Sequence, residues 1–80
     1  GCYKAGNFYY YGKSVTKSYK KAVAYYRKSC NIPYGASVEK GCNNLATMYY
    51  YGRGIKKNIA MAKKYYKKAC DRGYSKACRQ

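Results

Sequence analysis

There is no histidine and no tryptophan in this chain of 80 residues, and there are two carboxylates, Glu39 and Asp71. The first absence removes every His-based triad and every imidazole metal ligand. The second leaves too few acids for paired-carboxylate catalysis or for an oxygen-ligand cation site. No Cys-x-x-Cys spacing occurs, which argues against structural zinc. Neither a metal nor a cofactor is expected. No long apolar run exists, so no transmembrane helix is expected, and no signal peptide is visible. The chain opens at Gly1-Cys2 without an initiator methionine, which reads as a mature or truncated segment.

What the chain has in excess is tyrosine, lysine and cysteine. Fourteen tyrosines stand against one phenylalanine, so tyrosine is the large core residue. The formal charge is +16, which draws the protein to anionic surfaces. At this length a core is marginal, because a short chain buries only about 60% of its unfolded surface. Support from disulfides, a metal or neighbouring repeats is expected.

Shifting the sequence by 40 residues brings identical residues together at Gly1, Cys2, Tyr9, Tyr10, Tyr11, Gly12, Lys17, Ala22, Tyr25, Tyr26, Lys28, Cys30 and Tyr34. A later mark, Lys40–Cys42 against Lys76–Cys78, recurs after 36 residues. The basic unit is therefore 36 residues, and the first copy carries a four-residue insertion. Residues 1–40 read as one repeat, 41–76 as a second, and 77–80 as the start of a further one. Fixed-period similarity of this kind marks a stacked-repeat architecture.

Each unit reads as two helices. Cys42, Leu45 and Tyr49 form one apolar stripe at helical spacing, and Gly52-Arg53-Gly54 stops that helix. Asn58, like Ser18 in the first copy, is placed to cap a second helix. Ile59, Ala62, Tyr66 and Ala69 follow as its stripe, with Tyr19, Ala22, Tyr26 and Ser29 in the first copy. The expected fold class is all-α, an αα-hairpin repeat solenoid whose contacts run between neighbours.

The stretch YYYGRGIKKNIAMAKKYYKKACDRG resembles the Sel1-like repeat, a relative of the tetratricopeptide repeat. Tyr49, Gly52, Gly54, Ile55, Asn58, Ala62, Tyr66, Ala69 and Gly73 fit its pattern, and Cys70 replaces an alanine. The first copy departs at Ser14, where a second glycine belongs, and at Ser29, so its turn is expected to be strained or differently shaped. Placement of the cysteines resembles the Helicobacter cysteine-rich proteins, which are secreted Sel1-like solenoids. A secreted or periplasmic, monomeric protein is what that resemblance implies.

The cysteines lie at 2, 30, 42, 70 and 78. Two pairings suit hairpins. Cys2 with Cys30 and Cys42 with Cys70 would join the two helices of one copy. Cys30 with Cys42 and Cys70 with Cys78 would staple one copy to the next. The family's cysteines, spaced eight apart, imply the second scheme and leave Cys2 unpaired. Reduced core thiols are the third possibility.

Three Ser-x-x-Lys stretches begin at Ser14, Ser18 and Ser37, the spacing that brings an amine to a hydroxyl across one helical turn. The resemblance implies a β-lactamase or penicillin-binding activity, so Ser14 with Lys17 and Ser37 with Lys40 are weak catalytic candidates. Lysine is so abundant that chance supplies about one such match, and the Ser-Asp-Asn and Lys-Thr-Gly companions are absent.

Binding is the better-supported class. In solenoids of this kind the first helices line the face that holds extended ligands. Off their apolar stripe lie Tyr3, Lys4, Asn7, Tyr10 and Tyr11, then Asn43, Asn44, Thr47, Tyr50 and Tyr51. Such residues combine hydrogen-bond capacity with rigid aromatic area and suit a peptide, protein or peptidoglycan-type ligand. The lysines of the second helices read as a solvated outer face or as a landing surface for anionic polymer or membrane. Nucleic acid is disfavoured, because disulfides place the protein outside the cytosol.

Overall fold

A computed structural model describes residues 1–33, Gly35 and 37–79. It contains helices α1 (Cys2–Tyr11), α2 (Tyr19–Asn31), α3 (Val38–Tyr51) and α4 (Ile59–Asp71), then a short 3₁₀ helix, Ser75–Arg79. Among the described residues there is no strand, and no helix is long and apolar enough to cross a membrane. Packing follows chain order: α1 on α2, α2 on α3 and α3 on α4. This is the αα-hairpin solenoid, in two copies. Tyr34, the counterpart of Tyr74 in the repeat, lies outside the described residues.

Local chemistry explains the helix limits. The Ser18 side chain accepts from the Lys21 backbone N–H at 3.2 Å, and the Asn58 side chain accepts from that of Met61 at 3.0 Å. Each cap satisfies one donor that the first helical turn leaves open. Both first helices end on a glycine in the left-handed region, Gly12 at φ 69° and Gly52 at φ 68°. The following turn returns in the same way in both copies. Ser18 N–H donates to the Tyr9 carbonyl at 2.9 Å and Asn58 N–H to the Tyr49 carbonyl at 3.0 Å.

Two residues after each glycine the copies diverge in sequence but not in shape. Gly54 sits at φ 70°, and Ser14, its counterpart, adopts φ 64°. The turn at Ser14 therefore keeps the geometry of the second copy's glycine turn and places a side chain where glycine is unstrained. Gly54 is needed for a further reason: a Cβ there would stand 2.5 Å from the Tyr19 carbonyl, so the second turn docks on the start of α2.

The core is built from Ala22, Val23, Tyr26, Cys30, Val38, Cys42, Leu45, Ala46, Met48, Tyr49, Ala62, Tyr66, Ala69 and Ala77. Tyr26 is its largest fully buried side chain, at 2% exposure. Room for that ring comes from Gly6, where a Cβ would lie 2.6 Å from it. Ile59 departs from the expected stripe and is 37% exposed. Its counterpart Tyr19 packs on Tyr10, with ring centroids 5.1 Å apart, and is overlaid by the Gly54 turn. No element among the described residues occupies the equivalent place over Ile59.

Cys30 is bonded to Cys42 and Cys70 to Cys78, with Cα–Cα distances of 4.5 and 4.8 Å. Cys2 is free and half-buried. Each bond closes a short loop at the end of a second helix, the second of the two pairings that the spacing allows.

Two expectations follow. Replacing Cys30 and Cys42 by serine lowers unfolding stability by about 3 kcal/mol, read by denaturant melts against the oxidised parent. Ser14→Gly raises stability by up to about 1 kcal/mol through relief of the left-handed strain, whereas Gly54→Ala lowers it; equal effects of the two would contradict the docking of the second turn.

Candidate functional site

A tyrosine core carries a constraint that a phenylalanine core does not: every buried hydroxyl needs a partner. The first helices supply those partners. Tyr26 reaches from α2 and donates to Asn7 Oδ1 on α1 at 2.5 Å, while Asn44 Nδ2 on α3 approaches the same oxygen at 3.5 Å. One repeat later, the Tyr66 hydroxyl from α4 meets Thr47 Oγ1 at 2.8 Å, and Thr47 also donates to the Asn43 carbonyl at 3.1 Å. Asn7 and Thr47 occupy the same repeat position, so the phenol–first-helix bond is kept with a changed acceptor.

Burial raises both phenols above the usual tyrosine value of 10.0, with the Asn44 amide opposing the shift at Tyr26 and the Thr47 hydroxyl opposing it at Tyr66. These groups stay neutral and act as hydrogen-bonding struts.

Above them opens a cleft of about 190 Å³, lined by Tyr10, Tyr11, Tyr26, Asn44, Thr47 and Met48. Its volume lies below the roughly 300 Å³ at which small-molecule sites begin. It fits one side chain or a short stretch of an extended ligand. Its lining sets the polar groups of Asn44 and Thr47 among Met48 and the rings of Tyr10, Tyr11 and Tyr26. Tyr11 is 72% exposed, with its ring edge-on to Tyr10 at 4.8 Å.

The candidate residues divide by position. Asn7, Tyr10, Tyr11, Asn44 and Thr47 come together at or beneath this cleft. The Tyr10 hydroxyl accepts from Arg53 at 2.5 Å, which ties the second turn to the first repeat. Tyr3 packs on Tyr26 with centroids 6.2 Å apart, and Lys4 is exposed at the outer edge of α1. Asn43 takes part through its carbonyl. Tyr50 and Tyr51 form the same edge-on pair as Tyr10 and Tyr11, 4.9 Å apart and exposed, at the far end of α3.

The Ser-x-x-Lys residues lie elsewhere. Ser14 and Lys17 are exposed in the turn after α1. Ser18 is occupied as a helix cap. Ser37, at φ 72°, precedes α3, its carbonyl accepts from Ser29 Oγ, and Lys40 is exposed one turn on. None of them lines the cleft.

Arg53 and Arg27 were not legible as seam residues. Arg27 Nη2 donates to the Tyr49 hydroxyl at 3.1 Å, linking α2 to α3. The usable signal was the surplus of tyrosine hydroxyls over visible acceptors, which calls for donors and acceptors across the repeat boundary.

Comparison with known proteins agrees with this architecture. The sequence profile of the Sel1 repeat matches residues 1–32 and 39–74. The cysteine rich protein B of Helicobacter pylori is similar at 40% identity and a TM-score of 0.85, over 96% of this chain and 55% of its own. A Sel1 repeat protein from Oxalobacter formigenes is similar at 29% identity and a TM-score of 0.85, over 95% of this chain and 29% of its own. A protective antigen of uropathogenic Escherichia coli with an SLR fold is similar at 28% identity and a TM-score of 0.85, over 95% of this chain and 15% of its own. The chain thus spans about half the length of the first of these and less of the others. No curated protein sequence matches it.

The raised phenols fix an alkaline response. Above pH 10 the unfolded chain releases phenolic protons that the native state retains. The stability from Tyr26 and Tyr66 is complete below that pH and is lost as pH rises towards their folded values. Each contributes a slope of up to about 1.4 kcal/mol per pH unit. Chemical denaturation between pH 9 and 11 should show a shallower decline in Tyr26→Phe than in the parent.

Proposed function

The chain belongs to the Sel1 repeat family, and on that premise we propose that it is a binding scaffold that holds an extended peptide or peptidoglycan-type ligand on its first-helix face. The observation that carries this reading is the cleft between α1 and α3, with Asn44 and Thr47 in its lining and exposed Tyr11 at its rim. Rigid aromatic area beside side-chain amides and hydroxyls suits recognition of a backbone rich in amide groups. A ligand need not be engulfed, since the cleft takes one side chain and the remaining contacts run along the helix surfaces.

The two disulfides, and the cysteine-rich relative from Helicobacter pylori, support a place outside the cytosol, secreted or periplasmic. The resemblance also implies a β-lactamase. None of the Ser-x-x-Lys residues lines the cleft, which favours binding over turnover.

The test is binding of soluble peptidoglycan fragments and unstructured peptides, followed by amide chemical-shift mapping. Shifts are expected at Tyr11, Asn44 and Thr47. Tyr11→Ala should weaken binding by about tenfold with an unchanged melting temperature. Tyr49→Ala, which removes a buried ring, should lower stability by about 3 kcal/mol. Shifts confined to α2 and α4, or nitrocefin turnover abolished by Ser14→Ala or Ser37→Ala, would overturn the scaffold reading.

A further inference from the structure

Positive charge in this chain far exceeds its internal use. Eighteen lysines and arginines stand against two carboxylates. Among the described residues one ion pair forms, Lys67 with Asp71, and it is exposed. Along α4, Lys63, Lys64, Lys67 and Lys68 follow one another at spacings where like charges destabilise a helix. A bound anion would relieve that repulsion.

Part of this charge is held in place. Lys21 lies over the Tyr9 ring at 5.3 Å, Tyr9 stacks on Tyr25 at 5.5 Å with planes 6° apart, and Lys28 lies over Tyr25 at 5.5 Å. In the next repeat Arg27 lies 5.7 Å from the Tyr49 ring, Tyr49 stacks on Tyr65 at 5.8 Å with planes 5° apart, and Lys64 lies over Tyr65 at 5.7 Å. The two stacks occupy matching repeat positions. Followed contact by contact they give a row of cation, tyrosine pair, two cations, tyrosine pair, cation, joined where Lys28 and Arg27 are neighbours on α2. The row crosses the repeat boundary. All four cations come from α2 and α4, and none lines the cleft.

We propose that this row is a docking surface for a linear, phosphate-bearing polyanion, bound by charge along the direction in which the repeats stack. Charge complementarity is the first reason. The second is order: cation–π contact holds each ammonium or guanidinium near a fixed point, so less side-chain freedom is lost on binding. A linear polyanion carries charge repeatedly along its length, and the cation-bearing stack recurs from one repeat to the next. A fluid bilayer adapts to any arrangement of cations and gains nothing from fixed spacing. The third reason concerns the rings. Proteins that read single-stranded nucleic acid leave aromatic faces open for bases to stack on. Here every ring of both stacks has a cation near its face, so phosphate rather than base is what the surface meets.

The experiment measures inorganic polyphosphate binding to the folded, oxidised protein across a salt series. The triple variant Lys21→Gln, Lys28→Gln, Lys64→Gln is compared with Lys13→Gln, Lys56→Gln, Lys76→Gln, which removes equal charge elsewhere. The row variant is expected to bind at least about tenfold more weakly, and its slope of log affinity against log salt to fall by about 2, near 0.7 per lost contact. The control should stay within about threefold of the parent. Equal losses in the two variants overturn the proposal, because net charge alone then accounts for binding. A preference of more than about tenfold for an oligothymidylate of equal charge overturns the reading of phosphate alone. Tighter binding per charge to phosphatidylglycerol vesicles than to polyphosphate overturns the linear partner. Circular-dichroism melts accompany each variant. If the triple variant is unfolded, the three single variants are used, each expected to lower the slope by about 0.7.

Discussion

The seam between α2 and α3 is the contact on which the rest depends. A chain of two hairpins has neighbour-only packing, so one interface sets how the repeats sit on each other. At that interface Gly41 lies directly against Ser29, and the next residues in each helix, Cys30 and Cys42, are bonded. The small residues allow the close approach and the disulfide holds it. Lys68 extends the clamp from α4, donating to the Cys30 carbonyl at 2.9 Å. With the seam in place, α1 and α3 are brought side by side, and the cleft exists only because they are.

Tyrosine gives the molecule its two-sided character. A ring that is buried for its area but tipped with a hydroxyl obliges the facing helix to carry a polar partner. Asn7 and Thr47 meet that demand for Tyr26 and Tyr66. The polar groups in the cleft are thus a by-product of how the core is satisfied. On the second-helix side the same residue type, in stacked pairs of which Tyr49 is buried and the other three rings are half-buried, gathers cations over its ring faces. One composition therefore yields a polar-aromatic face and a basic face from the same repeat.

Much of the fold was legible because it rests on local rules. Ser18 and Asn58 cap helices through hydrogen bonds three residues away. Cys42, Leu45 and Tyr49 share a buried stripe because helical periodicity puts them there. Position in the array overrode the pattern elsewhere. Ile59 and Tyr19 occupy one repeat position, yet Tyr19 is overlaid by the next turn and Ile59 is not. Tyr10, which reads as a free ligand-facing ring, has its hydroxyl committed to Arg53 from the following repeat. Ser14 takes the left-handed geometry of a glycine because the turn around it demands that shape.

The amino-acid sequence by itself determined the helices, their caps and breaks, the two-copy period and the family, since each follows from spacing within one turn or one repeat. It also narrowed the cysteines to a few pairings. Tertiary structure decided which cysteines meet, which tyrosine hydroxyls are consumed and which first-helix side chains share the cleft. Those outcomes depend on distances between residues 8 to 43 positions apart, and the packing of helices on one another sets such distances.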